Sequence, residues 1–301
     1  MKKDFVCIET LGKGSFGVVQ LMKENRTDKL SAWKEMKYQT HKDKQLVDSE
    51  VNIMRNIYKY LSDQASKQNS PFVSIIKPLG GFENKDNDTY VLILEYCSMG
   101  DLRKFINETK ELINEDRVWN FTGQIASAIH QLHMINIVHK DIKPENILIN
   151  ENFHLKLADF GLSQHLQDNQ ITLKTDGTPL QQTLATDIWA FGITLCELIT
   201  QKHPFFEDMK SQHVTLEMLI QKLQQKQLLQ IQGSFSDNLK SLVKKMLENK
   251  HEDRITAGQI VTIPEIVDIL MPKKSNLKQE NNIKSKETEE KEKENKQNES
   301  E

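Results

Sequence analysis

His139-Lys140-Asp141-Ile142-Lys143-Pro144-Glu145-Asn146 opens the stretch on which the reading of this chain turns. The apolar run Ile147-Leu148-Ile149 follows, then a turn at Asn150 to Asn152, a second short apolar strand, and Asp159-Phe160-Gly161. Two runs of carboxylate, amide and amine groups therefore bracket a short hairpin. Asn146 and Asp159 carry hard oxygen donors of the kind that magnesium prefers. A turn-rich hairpin with incidental polar residues would look similar in isolation, so the neighbouring sequence has to decide.

Toward the N-terminus, Phe5-Val6-Cys7-Ile8-Glu9 is apolar and β-prone and reads as a strand. It runs into Gly12-Lys13-Gly14-Ser15-Phe16-Gly17-Val18-Val19, a G-x-G-x-x-G-x-V pattern. Dinucleotide-binding folds share these glycines, but they need a helix directly after them. Here Val18 to Met22 looks like a second strand, which favours a β-hairpin lid over phosphates. Glycines there let backbone N–H groups approach phosphate oxygens with no Cβ in the way. Ser31-Ala32-Trp33-Lys34 reads as a third strand. Residues 42 to 60 have helical spacing, with Val47, Val51, Met54, Ile57 and Tyr58 three or four apart. Residues 61 to 70 read as a polar loop before Pro71. Two strands follow, Ile75 to Phe82 and Tyr90 to Leu94, around a turn at Asn84 to Asp88.

Between these strands and the opening stretch, residues 114 to 134 predict an amphipathic helix with Val118, Phe121, Ile125, Ala128, Ile129 and Leu132 on one side. His130 and His133 near its end read as surface residues, and His139 as a packed structural histidine. Beyond Gly161, Leu184 to Ile199 predicts a buried helix, and helical patterns return near 213 to 230, 236 to 248 and 256 to 270. From Pro272 to Glu301 the chain has eight Lys, eight Glu and almost no apolar residues, which predicts a disordered tail. Its charges balance, so it is no polybasic membrane anchor.

The whole chain has 301 residues, 37% of them hydrophobic, and a net charge of −3. That suffices for one large or two closely joined domains and leaves no dominant nucleic-acid footprint. Cys7, Cys97 and Cys196 lie far apart, with no CxxC or Cys/His cluster, so neither a disulfide framework nor a zinc site is indicated. The N-terminus lacks the apolar core of a signal peptide. The longest apolar run, Ile188 to Ile199, carries Glu197 and is too short to span a bilayer.

Taken together, the H-x-D with its Asn five residues on, the D-F-G whose aspartate lies eighteen residues after Asp141, and the glycine hairpin followed by an Ala-x-Lys strand resemble a eukaryotic protein kinase of the Ser/Thr type. The likeness covers roughly residues 5 to 270. It implies a bilobal α+β fold, with a β-rich N-lobe over residues 1–97, a mainly helical C-lobe over 98–271 and the charged tail over 272–301. It implies ATP and Mg2+ as cosubstrate and cofactor. Asp141 would accept the proton of the substrate hydroxyl, Lys143 would sit beside the transferring group, and Asn146 and Asp159 would hold metal. Lys34 would hold the α- and β-phosphates, paired with Glu50. Gly12, Gly14 and Gly17 would cover the phosphates. Leu11, Val19, Ala32 and Leu148 would line the adenine pocket, with Leu94 as gatekeeper, and backbone groups of Glu95 and Cys97 would bond the base. Asp101 would reach the ribose or a basic residue of a peptide, and Asp187 would hydrogen-bond the catalytic-loop backbone from below. Partners implied are a protein with a Ser/Thr acceptor and ATP, with no nucleic acid and no membrane insertion. A monomer in the cytoplasm or nucleus is expected.

The chain departs from the family's pattern on its third strand, in the catalytic loop and before Asp187. Ser31 and Trp33 are unusual beside Lys34. Lys140 stands where an arginine is usual; it keeps the charge and loses the bidentate fork, which questions dependence on activation-loop phosphorylation. After Gly177-Thr178-Pro179-Leu180, which looks like the start of the peptide-docking segment with Thr178 reaching Asp141 and Lys143, the expected A-P-E is absent before Asp187. In the family that glutamate pairs with the arginine matching Arg254. A buried guanidinium without a partner is costly, so either Arg254 meets another partner or water, or the chain is locally remodelled, or a segment is missing from the coding sequence. The second reading is therefore a pseudokinase or scaffold that binds nucleotide or partners with weak or no transfer.

Overall fold

The computed structural model describes residues 4–14, 17–67, 73–109, 111–165, 180–203 and 235–271. The tail, the 213 to 230 pattern and Thr178 lie outside them.

The first half of the chain builds a five-stranded antiparallel sheet from β1 (Phe5–Gly14), β2 (Gly17–Glu24), β3 (Leu30–Lys37), β4 (Pro78–Asn84) and β5 (Thr89–Glu95), in the spatial order β1-β2-β3-β5-β4. Alternation along β3 puts Lys34 and Trp33 on opposite faces. Trp33 is 3% exposed and forms a separate small core with Met22, Val91, Phe5 and Phe82. Its ring lies 4.9 Å from Phe5 and 5.6 Å, edge-on, from Phe82. Its indole N–H donates to Ser31 Oγ at 3.0 Å. The two unusual residues of β3 thus satisfy each other on the face away from Lys34.

Helix α1 (His41–Lys67) is longer than the periodicity predicts. The stretch read as a polar loop continues it for two turns, because Leu61 is buried and Ala65 packs against the main core. Burial of one side of a mostly polar segment is enough to extend a helix that is already nucleated.

The second half is mainly helical. It contains α2 (Leu102–Glu108), α3 (Glu115–Met134), α4 (Leu180–Thr200), α5 (Asp237–Met246), α6 (Ala257–Ile260) and α7 (Pro264–Leu270). Asn114 caps α3 by accepting from the Arg117 N–H. The single helix expected over 256 to 270 is two: Thr256 and Gln259 form a capping box that starts α6, and Pro264 sits at the start of α7, where its missing N–H costs nothing. Helix α4 begins at Leu180, before the Leu184 that the apolar pattern marks. Short ladders complete the lobe: β6 (Ile137–Val138) with β9 (Gln164–His165), and β7 (Ile147–Ile149) with β8 (Leu155–Leu157). Among the described residues no helix is long and apolar enough to cross a membrane. The two halves are the β-rich and helical lobes of the fold expected above.

Candidate active site

The glycines stand at the end of a hairpin, Gly12 and Gly14 on β1 and Gly17 on β2. Gly12 lies opposite Val19 and Gly14 opposite Gly17, so a strand follows the glycines and the dinucleotide-binding alternative falls. Gly17 has φ of +139°, and a Cβ there would meet the Glu35 carbonyl oxygen at 1.9 Å; only glycine fits. The register sets Val19 across from Lys34 and Ala32 across from Leu94. Leu11, at the bulge in β1, is exposed.

Lys34 is buried between two carboxylates. Its Nζ lies 2.7 Å from Glu50 Oε1 on α1 and 2.9 Å from Asp159 Oδ1. Burial works to lower the Lys34 pKa, but Glu50 and Asp159 outweigh it and hold the ammonium above its ordinary value. Burial would likewise raise Asp159, and Lys34 reverses the sign, so this carboxyl stays ionised below its ordinary range. Asp159 itself has φ of +62°, a left-handed conformation that turns its side chain toward Lys34.

Asp141 and Asn146 are tied together on the adjoining loop. Asn146 Nδ2 donates to the Asp141 carbonyl and to Asp141 Oδ2, both at 2.8 Å. With the amide nitrogen so committed, the Asn146 side-chain oxygen is turned away from Asp141. Lys143 Nζ contacts the two Asp141 carboxylate oxygens at 3.0 and 2.8 Å. The N–H of Ala158 donates to the Asn146 carbonyl at 2.9 Å, which holds Asp159 beside Asn146.

Beneath this loop, His139 is fully buried. Its Nε2 lies 3.1 Å from the Ala158 carbonyl, and its Nδ1 accepts from the Asp141 N–H at 3.3 Å. These partners select a neutral ring protonated at Nε2, and burial lowers its pKa in agreement. Phe160 packs edge-on against it at 5.0 Å. Asp187, 1% exposed, accepts from the N–H groups of His139 and Lys140 at 2.9 Å each, as expected. His133 is not a surface residue: its Nε2 is 3.0 Å from Asp187 Oδ2. It lies four residues after Ile129 on the buried stripe of α3, the spacing that could have placed it.

On the hinge side, Glu95 accepts from the Lys77 N–H at 2.7 Å and lies 3.3 Å from the buried Lys156 ammonium. Cys97 is buried, and its thiol is pushed up to about 12, first by burial and then by Glu95. Asp101 caps α2 by accepting from the Lys104 N–H at 2.7 Å and bridges to Leu148. Sequence reasoning missed Lys156 and Arg103, whose partners lie far along the chain.

Arg254 is satisfied without a glutamate. It donates to the Glu248 carbonyl from Nε (2.9 Å) and from one terminal nitrogen (2.8 Å), and to the Ala185 carbonyl from the other (2.7 Å). Its guanidinium lies 5.0 Å over the Trp189 ring. Lys140 donates to Gln164 Oε1 at 2.5 Å.

The arrangement can do one kind of chemistry well. A fixed lysine and two side-chain oxygens of the kind a hard cation prefers, those of Asn146 and Asp159, lie beside a carboxylate that can take a proton. Among the described residues no group of three or more His, Cys, Asp or Glu could cage a metal on its own.

Comparison with known proteins agrees. Residues 5–264 match the family described as protein kinase domain. The probable serine/threonine-protein kinase nek2 of Dictyostelium discoideum is 29% identical over 83% of this chain and 60% of its own length. Serine/threonine-protein kinase Nek2 of Mus musculus is 26% identical over 89% of this chain and 61% of its length. The NUAK family SNF1-like kinase 1 of Homo sapiens is 34% identical over 68% of this chain and 31% of its length. The chain therefore spans about three fifths of the Nek2 relatives it matches. A kinase-family match across both lobes, with the glycine hairpin, Lys34, Asp141, Asn146 and Asp159 in place within it, means that this chain belongs to the protein kinase family.

Proposed function

We propose that the chain is an ATP-dependent serine/threonine protein kinase that works with Mg2+. The observation that carries this reading is Lys34 fixed at 2.7 and 2.9 Å between Glu50 and Asp159, in register with an Asp141 held by Lys143 and Asn146. Phosphoryl transfer depends on positioning and charge neutralisation more than on covalent help. Lys34 pairs with the α- and β-phosphates, and the glycine hairpin offers backbone N–H groups to the same oxygens. Asn146 and Asp159 hold Mg2+, which neutralises phosphate charge when bound. Leu11, Val19, Ala32, Leu94 and Leu148 line the adenine site, and the hinge groups of Glu95 and Cys97 bond the base. Asp101 reaches the ribose.

The acceptor is a protein serine or threonine hydroxyl. Its oxygen forms a bond to the γ-phosphorus, the bond to the β-bridging oxygen breaks, ADP leaves with that electron pair, and the hydroxyl proton passes to Asp141. Lys143 offsets the charge gathering on the transferring group. The acceptor class follows the names of the matched relatives, serine/threonine kinases. The protein acts as a monomer in the cytoplasm or nucleus. The pseudokinase reading rested on the missing A-P-E segment, and Arg254, which that segment's glutamate would pair, is met by backbone carbonyls instead.

The test is phosphotransfer from Mg-ATP to generic Ser/Thr peptides by wild type and Asp141→Asn. The variant should bind Mg-ATP normally and lose activity by about two orders of magnitude or more. Near-full activity in Asp141→Asn would remove Asp141 as base; phosphotyrosine as the main product would refute the acceptor class.

A further inference from the structure

Arg103 lies in the first turn of α2, two residues after Asp101, and the proposed mechanism gives it no role. Its guanidinium reaches two carboxylates at once. Nε donates to Glu145 Oε1 at 2.7 Å, and a terminal nitrogen donates to Glu197 Oε2. Glu145 belongs to the Pro144–Asn146 turn, between Lys143 and Asn146. Glu197 is on α4, its side chain 4% exposed, with His203 Nε2 3.8 Å away from its other oxygen.

The start of α2 is itself strapped down. The N–H of Met99 donates to the Ile149 carbonyl at 3.1 Å, and the N–H of Ile149 donates to the Gly100 carbonyl at 2.8 Å. Arg103 thus projects from a fixed base. Asp187, on the same α4, holds the entry of the catalytic loop through the His139 and Lys140 N–H groups. Arg103 and Glu197 hold its exit at Glu145. The loop that carries Asp141, Lys143 and Asn146 is clamped to one helix at both ends.

We propose that Arg103 is a positioning residue: its fork between Glu145 and Glu197 sets the geometry of Lys143 and Asn146 for phosphoryl transfer. The inference rests on the kinase reading above. A planar guanidinium can serve two separate carboxylates from adjacent nitrogens, whereas a lysine ammonium is a single point that keeps only one. Glu197 is the buried partner, so removing Arg103 leaves its charge uncompensated, whereas replacing both with apolar groups of similar volume restores stability without restoring the tie. That difference separates positioning from plain stability.

The experiment compares wild type, Arg103→Lys, Arg103→Met and the double variant Arg103→Met with Glu197→Met. It measures Tm, Mg-ATP affinity, kcat, peptide KM and amide exchange over residues 141–149. In Arg103→Met, kcat should fall at least tenfold, with peptide KM and Mg-ATP affinity within threefold of wild type. Exchange at 143–147 should quicken at least tenfold. The double variant should regain Tm and regain neither kcat nor protection of the loop; Arg103→Lys should fall between. Recovery of kcat together with Tm in the double variant would overturn the proposal, leaving a purely structural arginine. So would a raised peptide KM at unchanged kcat, which would make Arg103 a substrate contact. If wild type binds Mg-ATP but transfers nothing, the kinase reading fails by itself, and unchanged exchange at 143–147 would then overturn the clamp.

Discussion

Removing the Arg254 guanidinium tests whether this chain replaces a missing glutamate with its own backbone. Three close hydrogen bonds reach two carbonyls, those of Glu248 and Ala185, and the group sits over Trp189. A hydrogen bond to a charged group contributes about 1.5–3 kcal/mol net. Burial lowers the Arg254 pKa and Glu248 raises it only in part, so the charge is held at some cost, which Met would relieve. Arg254→Met should therefore destabilise by about 3–5 kcal/mol, or about 6–10 °C in Tm at roughly 2 °C per kcal/mol for a chain this size. Arg254→Lys can keep one carbonyl and should lose about half as much. Thermal unfolding followed by circular dichroism reads both. A sequence carrying Ala-Pro-Glu, grafted between Leu180 and Asp187, should add less than about 1 kcal/mol, because the arginine is already bonded. An Arg254→Met protein within about 0.5 kcal/mol of wild type, the range of ordinary surface changes, would refute the reasoning.

Three further outcomes are expected. Mg-ATP at 100 times its dissociation constant should raise unfolding free energy by about 2.7 kcal/mol; a Tm indifferent to millimolar Mg-ATP would sink the nucleotide site. Glu50→Gln should cost about 1–3 kcal/mol and lower kcat, because Lys34 keeps Asp159 but loses the charge that fixes its head; unchanged kinetics would show that the pair does not position the lysine. His139 is held neutral below its ordinary pKa of 6.5, so the unfolded chain binds a proton that the native one refuses, and stability is fully present above 6.5 and declines as pH falls through it. His130 is shifted in the same direction, mainly by burial. The fall in unfolding free energy between about pH 7 and about pH 5 should be shallower in His139→Gln than in wild type, and an equal slope would exclude this histidine as the cause.

The β-rich lobe was legible because its signals are local. The β-prone run Val18 to Met22 and the glycines before it specify a hairpin, and residues a few positions apart form it. The catalytic loop was legible for a related reason: Asp141, Lys143 and Asn146 contact each other within six positions of the chain. Lys34 with Glu50 and Asp159 was legible only through the resemblance, since no periodicity links residues 125 positions apart. The end of α1 was misread because composition weighs every residue equally. Two small contacts, at Leu61 and Ala65, outweigh the polar residues around them. His133 was misread because a titratable side chain suggests solvent, although its place on the α3 stripe points inward.

Beyond the hold of Asp187 on the catalytic loop, which the resemblance implied, the other partners of the polar groups on α4 stayed hidden. Asp187, Glu197 and the Ala185 carbonyl all lie on this one helix, and each receives a cationic or polar group from elsewhere: His133 and the catalytic-loop N–H groups, Arg103, and Arg254. A buried helix rich in apolar residues reads from sequence as core. Its acidic residues then look like exceptions, yet Asp187 and Glu197 are almost fully buried. Burying a carboxylate is tolerable only where a donor of matching geometry meets it. Such a residue within a core helix therefore predicts a partner, but sequence cannot say which. The partners here come from α2, α3 and the catalytic loop, so α4 is the element that registers the loop against both neighbours. This explains why Arg254 manages without the A-P-E glutamate. Its task is to hold the start of α4, and a backbone carbonyl at Ala185 serves that task as directly as a carboxylate does.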